Sequence, residues 1–222
     1  MGDMIRLTAA DGVTIDAYRA APSGAPKAGV VVLQEIFGVN DHIRRVTDGF
    51  AAEGYLAIAP ALFDRAQPHV ELGYGPDDMK QGMEIRARTT LDGALADVAA
   101  AVKAASEAGK VGVVGYCWGG SLAFLAATRL AGVSAAVGYY GGMIASHLDE
   151  IPKAPTILHF GEKDKHISQD DVRKIQAAFP HMSVFVYPAD HGFNCDARGS
   201  YDKPSADLAR ARTLEFLADK LA

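Results

Sequence analysis

The sequence predicts an α/β fold: a mostly parallel central sheet with helices on both faces. Three observations predict it. Short apolar runs alternate along the chain with longer segments of helical character. Most of those runs are apolar throughout instead of alternating, the pattern of strands covered on both sides. Finally, no repeat, low-complexity tract or linker interrupts the 222 residues, which reads as a single domain over 1–222.

Ile5–Leu7 and Val13–Tyr18 flank Asp11-Gly12, a turn signal, and read as an antiparallel hairpin. Gly29–Leu33 is the first continuous apolar run and ends at Gln34-Glu35-Ile36-Phe37-Gly38. Asp41 is the expected cap of a helix to about Glu53, whose Ile43, Val46, Phe50 and Ala51 share one face. Gly54 stops it, and Tyr55–Ala59 is the next buried strand. The polar, aromatic stretch Ala61–Gly75 reads as a long surface loop of the kind that often borders a site. Helical character resumes at Asp77, and an alanine-rich helix spans about Thr90 to Ala108 before Gly109. A strand from Val111, a helical segment Leu122–Leu130 and a strand Val133–Tyr139 follow. Pro155–Phe160 is another strand. Ser168 with Asp171 resembles a capping box for a helix to about Phe179. Ser183–Tyr187 is the last strand, and Asp207–Leu221 closes the chain as an amphipathic helix.

Composition narrows the function. A formal net charge of −5 argues against nucleic acid or an anionic membrane as the main partner. The N-terminal Met1-Gly2-Asp3-Met4-Ile5-Arg6 lacks the apolar run of a signal peptide, and no stretch reaches membrane-spanning length. Two cysteines, Cys117 and Cys195, make no disulfide framework or zinc pattern, and a reducing cytoplasm suits them. No phosphate-cradling or metal-binding motif occurs, so neither a nucleotide cofactor nor a metal is expected.

The chemistry gathers at Gly115-Tyr116-Cys117-Trp118-Gly119-Gly120. Gly-x-nucleophile-x-Gly between an apolar strand and a helix is a strand-to-helix elbow, here with cysteine in the reactive position. The bland alternative for Cys117 is a small buried apolar residue. Asp164 follows the Pro155–Phe160 strand and His191 follows the last one. Nucleophile, acid, histidine is the chain order of α/β-hydrolases. In parallel sheets ligands bind at the carboxyl ends of strands, so Cys117, Asp164, His191 and Glu35 are expected on one edge. His191 would carry the proton, and Asp164 would fix its tautomer. Asp164 could instead be a turn aspartate and Glu35 a solvated loop residue. Of the other histidines, His159 reads as core, and His166 lies too close to Asp164 in sequence to come from a different loop. The backbone N–H groups of Ile36 and Trp118 stand where an oxyanion hole is expected.

Gln34–Gly38, Gly115–Gly120, Gly138-Tyr139-Tyr140-Gly141, Gly161-Glu162-Lys163-Asp164 and Asp190-His191-Gly192-Phe193 together resemble the dienelactone hydrolase (carboxymethylenebutenolidase) family. The resemblance implies an α/β-hydrolase without a large lid domain, opening an enol-lactone with a Cys117–His191–Asp164 triad and no cofactor. It further implies that Glu35 contacts the resting thiol and helps deprotonate it. The family's arginine a few residues after the histidine is absent: Asn194 or Cys195 falls near its place, and Arg198 is the substitute from a shifted position. Arg86 or Arg88 is the other candidate arginine. Phe37, Arg86, Tyr139, Phe193, Cys195 and Arg198 are accordingly the candidate substrate-binding residues. The expected protein is a cytoplasmic hydrolase, monomeric with a dimer left open, acting on a small lactone or activated ester. The alternatives are a broad carboxylesterase or thioesterase, or a non-catalytic ligand-binding protein on the same fold.

Overall fold

The computed structural model describes residues 2–222. Its centre is one eight-stranded sheet. The strands are β1 (Asp3–Thr8), β2 (Thr14–Ala20), β3 (Gly29–Leu33), β4 (Leu56–Pro60), β5 (Val111–Tyr116), β6 (Val133–Tyr139), β7 (Thr156–Gly161) and β8 (Ser183–Tyr187). They lie in the order β1-β2-β4-β3-β5-β6-β7-β8. β1 and β2 form the expected antiparallel hairpin, and β2 pairs antiparallel with β4. Every other pairing is parallel. β3, β4 and β5 are buried along their whole length, as their unbroken apolar sequences require.

Six helices cover the sheet among the described residues: α1 (Asp41–Ala52), α2 (Pro76–Arg88), α3 (Leu91–Ala105), α4 (Trp118–Arg129), α5 (Gln169–Ala178) and α6 (Lys203–Leu221). α3 and α4 pack side by side over β3 to β6. α1 and α6 meet where Arg210 donates to the Gly49 carbonyl (3.3 Å). Three boundaries differ from expectation. Asn40, not Asp41, caps α1: its side chain accepts from the Ile43 N–H, and Asp41 begins the helix. α4 starts at Trp118, immediately after the elbow, and α6 starts at Lys203 behind an Asp202 cap.

The long loop 61–75 is pinned to the body. Arg65 donates to both oxygens of Asp97, which is buried in α3, and also to Asp11 in the hairpin turn. A guanidinium can serve two carboxylates in this way because its donors form a rigid fork. Asn40 also donates to the Leu72 carbonyl (3.0 Å), so the cap of α1 holds the far end of the same loop.

Candidate active site

β5 delivers Cys117 on a tight turn. Its φ of 54° and ψ of −115° put a non-glycine residue in a region that costs about 1–3 kcal/mol. The turn is held from both ends: the Cys117 N–H donates to the Tyr139 carbonyl (3.0 Å), and the Gly120 and Ser121 N–H groups donate to the Cys117 carbonyl. The flanking glycines are sterically required. A Cβ on Gly115 would stand 1.8 Å from the Gly119 oxygen, and one on Gly119 would stand 2.4 Å from the Leu33 oxygen.

Asp164 follows β7, and its Oδ2 lies 2.7 Å from Nδ1 of His191, in the loop after β8. Its Oδ1 accepts from the His166 and Ile167 N–H groups (2.7 and 3.1 Å). Burial opposes the Asp164 charge, but these donors win and hold the carboxyl below its usual range. Burial also pulls His191 down. The hydrogen bonds and charges of Asp164 and Cys117 outweigh it and raise the imidazole to about 10. The imidazole is thereby favoured in its charged form beside the Asp164 carboxylate.

Glu35, at the end of β3, is buried (1% exposed). Its Oε1 accepts from Arg198 Nη1 (3.0 Å), and its Oε2 has no partner among the described residues. The Arg198 guanidinium lies over the Phe37 and Tyr74 rings. Gln34 fixes this loop: its carbonyl accepts the Gly119 N–H, and its side-chain oxygen accepts the Leu62 N–H. The Trp118 N–H, at the first turn of α4, belongs to the amides that no helix can satisfy internally.

A cavity of about 450 Å³ opens above the elbow. Of the residues singled out from sequence, Ile36, Phe37, Arg86, Cys117, Trp118, His191 and Arg198 line it. Tyr139, Phe193 and Cys195 do not. Tyr139 points to α6, where its hydroxyl is 2.7 Å from the Thr213 hydroxyl. Phe193 is fully buried against Tyr140 and Tyr187, behind the site. Cys195 is fully buried, and burial followed by the Glu35 charge pushes its thiol up to about 11, so it rests protonated. Arg88 faces away and donates to Gln67.

Met79, Met83, Met143 and Ile167 also line the cavity and were not anticipated, and so does His166, which sequence reading set aside as too close to Asp164. Met79, Met83 and Arg86 recur at helical spacing on α2, a stripe that was readable in principle. His166 sits beside His191 (ring centroids 5.2 Å apart) because the tight turn after Asp164 brings it back.

A second cluster, His42, Cys195 and Asp196, has potential ligand atoms within 4.8 Å of one another. Asp196 is already committed to Arg45 (2.8 Å) and to His42 Nδ1 (3.0 Å). Among the described residues no helix is long and apolar enough to cross a membrane.

Comparison with known proteins converges on one group. The model of the dienelactone hydrolase family matches residues 15–221. A carboxymethylenebutenolidase of Pseudomonas putida is 34% identical over 227 residues, covering 96% of this chain and 95% of that protein. A provisionally named carboxymethylenebutenolidase of Synechocystis sp. is 37% identical over 213 residues, 86% of each chain. The crystal structure of a provisionally named dienelactone hydrolase from Klebsiella pneumoniae subsp. pneumoniae superposes with a TM-score of 0.84 at 33% identity, covering 98% of this chain and 99% of that one.

Proposed function

Because the chain belongs to the dienelactone hydrolase family and is a hydrolase of lactone or ester bonds, we propose that Cys117 is its nucleophile, opening a small dienelactone-like lactone or an activated ester. The observation that carries this reading is the Cys117 elbow facing a cavity shared with His191, whose Nδ1 is held by Asp164 at 2.7 Å.

The Cys117 thiolate adds to the carbonyl carbon, and the electron pair moves to the carbonyl oxygen, which the Ile36 and Trp118 N–H groups receive. Collapse expels the ring oxygen as an enolate, protonated by His191, and leaves a thioester on Cys117. Water then adds while His191 takes its proton, and the thiolate departs from the carboxylic acid product. Asp164 keeps His191 in the tautomer that serves both steps. Glu35 assists as the base that first draws the proton from the thiol. Arg86 lines the cavity with no carboxylate partner among the described residues, its Nη2 resting 3.1 Å from Met143 Sδ. It is suited to a substrate carboxylate, and Arg198 lines the same cavity. No cofactor takes part, and the enzyme works on a small molecule as a cytoplasmic monomer.

The methionine-lined wall favours a second reading, a broader carboxylesterase or thioesterase, because thioether side chains adapt to varied acyl groups. One screen separates the readings: dienelactones, saturated lactones, nitrophenyl esters and acyl thioesters, each with Cys117→Ala as control. Preference for the dienelactone, lost in Cys117→Ala, is the expected result. Turnover unchanged in Cys117→Ala would refute the nucleophile assignment, and a complete lack of turnover would favour a ligand-binding protein.

A further inference from the structure

His166 is a cavity-lining side chain that the proposed chemistry leaves unused. It stands in the tight turn after β7 and is fixed there through its backbone. The His166 N–H donates to Asp164 Oδ1 (2.7 Å), beside the Ile167 N–H on the same oxygen. That is the one hydrogen bond His166 makes among the described residues, and it leaves both ring nitrogens free. The residue is exposed, and its ring meets that of His191 edge to face, with centroids 5.2 Å apart and planes at 76°. An imidazole offers at least one N–H donor in any protonation state.

The charge of the cavity says what such a donor would meet. Apart from the Cys117 thiol, the titratable side chains that line it are Arg86, His166, His191 and Arg198. No carboxylate lines it, and a wall of one sign gathers anions. His191 is already bound to Asp164, and Arg198 is bound to Glu35. That leaves Arg86 and His166 as the donors open to a ligand. The place of His166 decides which half of a substrate it touches. A leaving oxygen must come within hydrogen-bond reach of the group that protonates it, here His191. The substituent on that oxygen then lies against the imidazole adjoining His191.

We propose that His166 is a specificity-determining residue that binds a carboxylate carried on the leaving alcohol or enol, so that esters and lactones with an anionic leaving half are favoured. The proposal rests on the reading of Cys117 as nucleophile and His191 as the leaving group's proton donor. Phenylalanine at this position would keep a ring against His191 and remove the donor. The backbone N–H that holds Asp164 would stay.

The test compares three esters at pH 7. Phenyl acetate is neutral, 3-acetoxybenzoate bears a carboxylate on the leaving phenol, and monophenyl succinate bears it on the acyl group. In the wild type, kcat/KM for 3-acetoxybenzoate should exceed that for phenyl acetate. His166→Phe should lower this ratio roughly tenfold or more, the worth of a hydrogen bond to a charged group, chiefly through KM. His166→Arg, which restores a donor, should return the ratio to within about threefold of wild type. The ratio of monophenyl succinate to phenyl acetate should move less than about threefold in His166→Phe. A wild type without preference for 3-acetoxybenzoate, an unmoved ratio in His166→Phe, or equal falls in both ratios overturns the proposal. Undiminished turnover in Cys117→Ala overturns the nucleophile reading and this proposal with it. Turnover that needs Cys117 but ignores His166 sinks only the role of His166.

Discussion

Asp164 spends one oxygen on His191 and the other on two backbone amides, so its orientation is set by three donors. Asparagine at this position would put an N–H where His191 Nδ1 must find an acceptor, or else lose the amide pair. Asp164→Asn should therefore lower kcat by about 10²–10⁴ through the wrong tautomer, with hydrolysis of a nitrophenyl ester as the measurement. The same substitution has a signature in stability. An unfolded imidazole titrates near ~6.5, while folded His191 is raised to about 10. Below the lower value both states are protonated and the stabilisation is complete. Above it the unfolded chain releases its proton first, so stability falls as pH climbs toward the upper value. With the Asp164 charge gone, melting temperature should fall less between pH 6.5 and 10 than it does in the wild type. Parallel slopes would mean that His191 does not draw its raised proton affinity from Asp164. Cys117 and Asp164 were legible from sequence because glycine spacing and strand ends mark them. The packing of the Tyr140 ring against His191 was not, since contact between residues of different loops exists only in three dimensions.

Among the elements, α2 is the one whose contribution sequence patterning understated. Its polar composition marks a surface helix, yet Met79, Met83 and Arg86 form a wall of the cavity. Gly82 lets it approach: a Cβ there would stand 2.2 Å from the Ile36 carbonyl oxygen. Gly82→Ala sets two effects against each other. Helix propensity favours alanine by about 1 kcal/mol, but overpacking against backbone costs typically 1–3 kcal/mol. The clash should win. We expect net destabilisation in urea unfolding and a lower kcat, because Ile36 carries a proposed oxyanion donor; a more stable, fully active variant would show that the loop gives way freely. The strands and most helices were readable because unbroken apolar runs and caps are local signals. The start of α1 was misjudged by one residue because Asn40 and Asp41 are both good caps, and only the Ile43 N–H to Asn40 hydrogen bond decides between them.

For the molecule as a whole, the proposed reading draws substrate choice and bond chemistry from different parts of the sheet edge. Cys117, Asp164 and His191 stand on the loops after β5, β7 and β8, whereas Arg86 comes from α2. Arg86→Met should raise KM for a carboxylate-bearing lactone roughly 10–100-fold, the worth of a charged hydrogen bond, while changing a neutral nitrophenyl ester less than threefold. Equal losses for both substrates would show that Arg86 supports the fold and not the ligand. The expected pocket members Tyr139, Phe193 and Cys195 failed to reach the cavity because motif proximity along the chain does not say which way a side chain turns. The pairing of Arg198 with Glu35 was unreadable for a related reason: 163 residues separate them. That separation has a temporal consequence. Cys117 precedes His191 and Arg198 along the chain, so a growing chain carries the proposed nucleophile before it carries the proposed histidine or the arginine that pairs with Glu35. Closing such long loops is slow compared with local structure formation. The proposed nucleophile and Glu35 thus both emerge ahead of the histidine proposed to serve them.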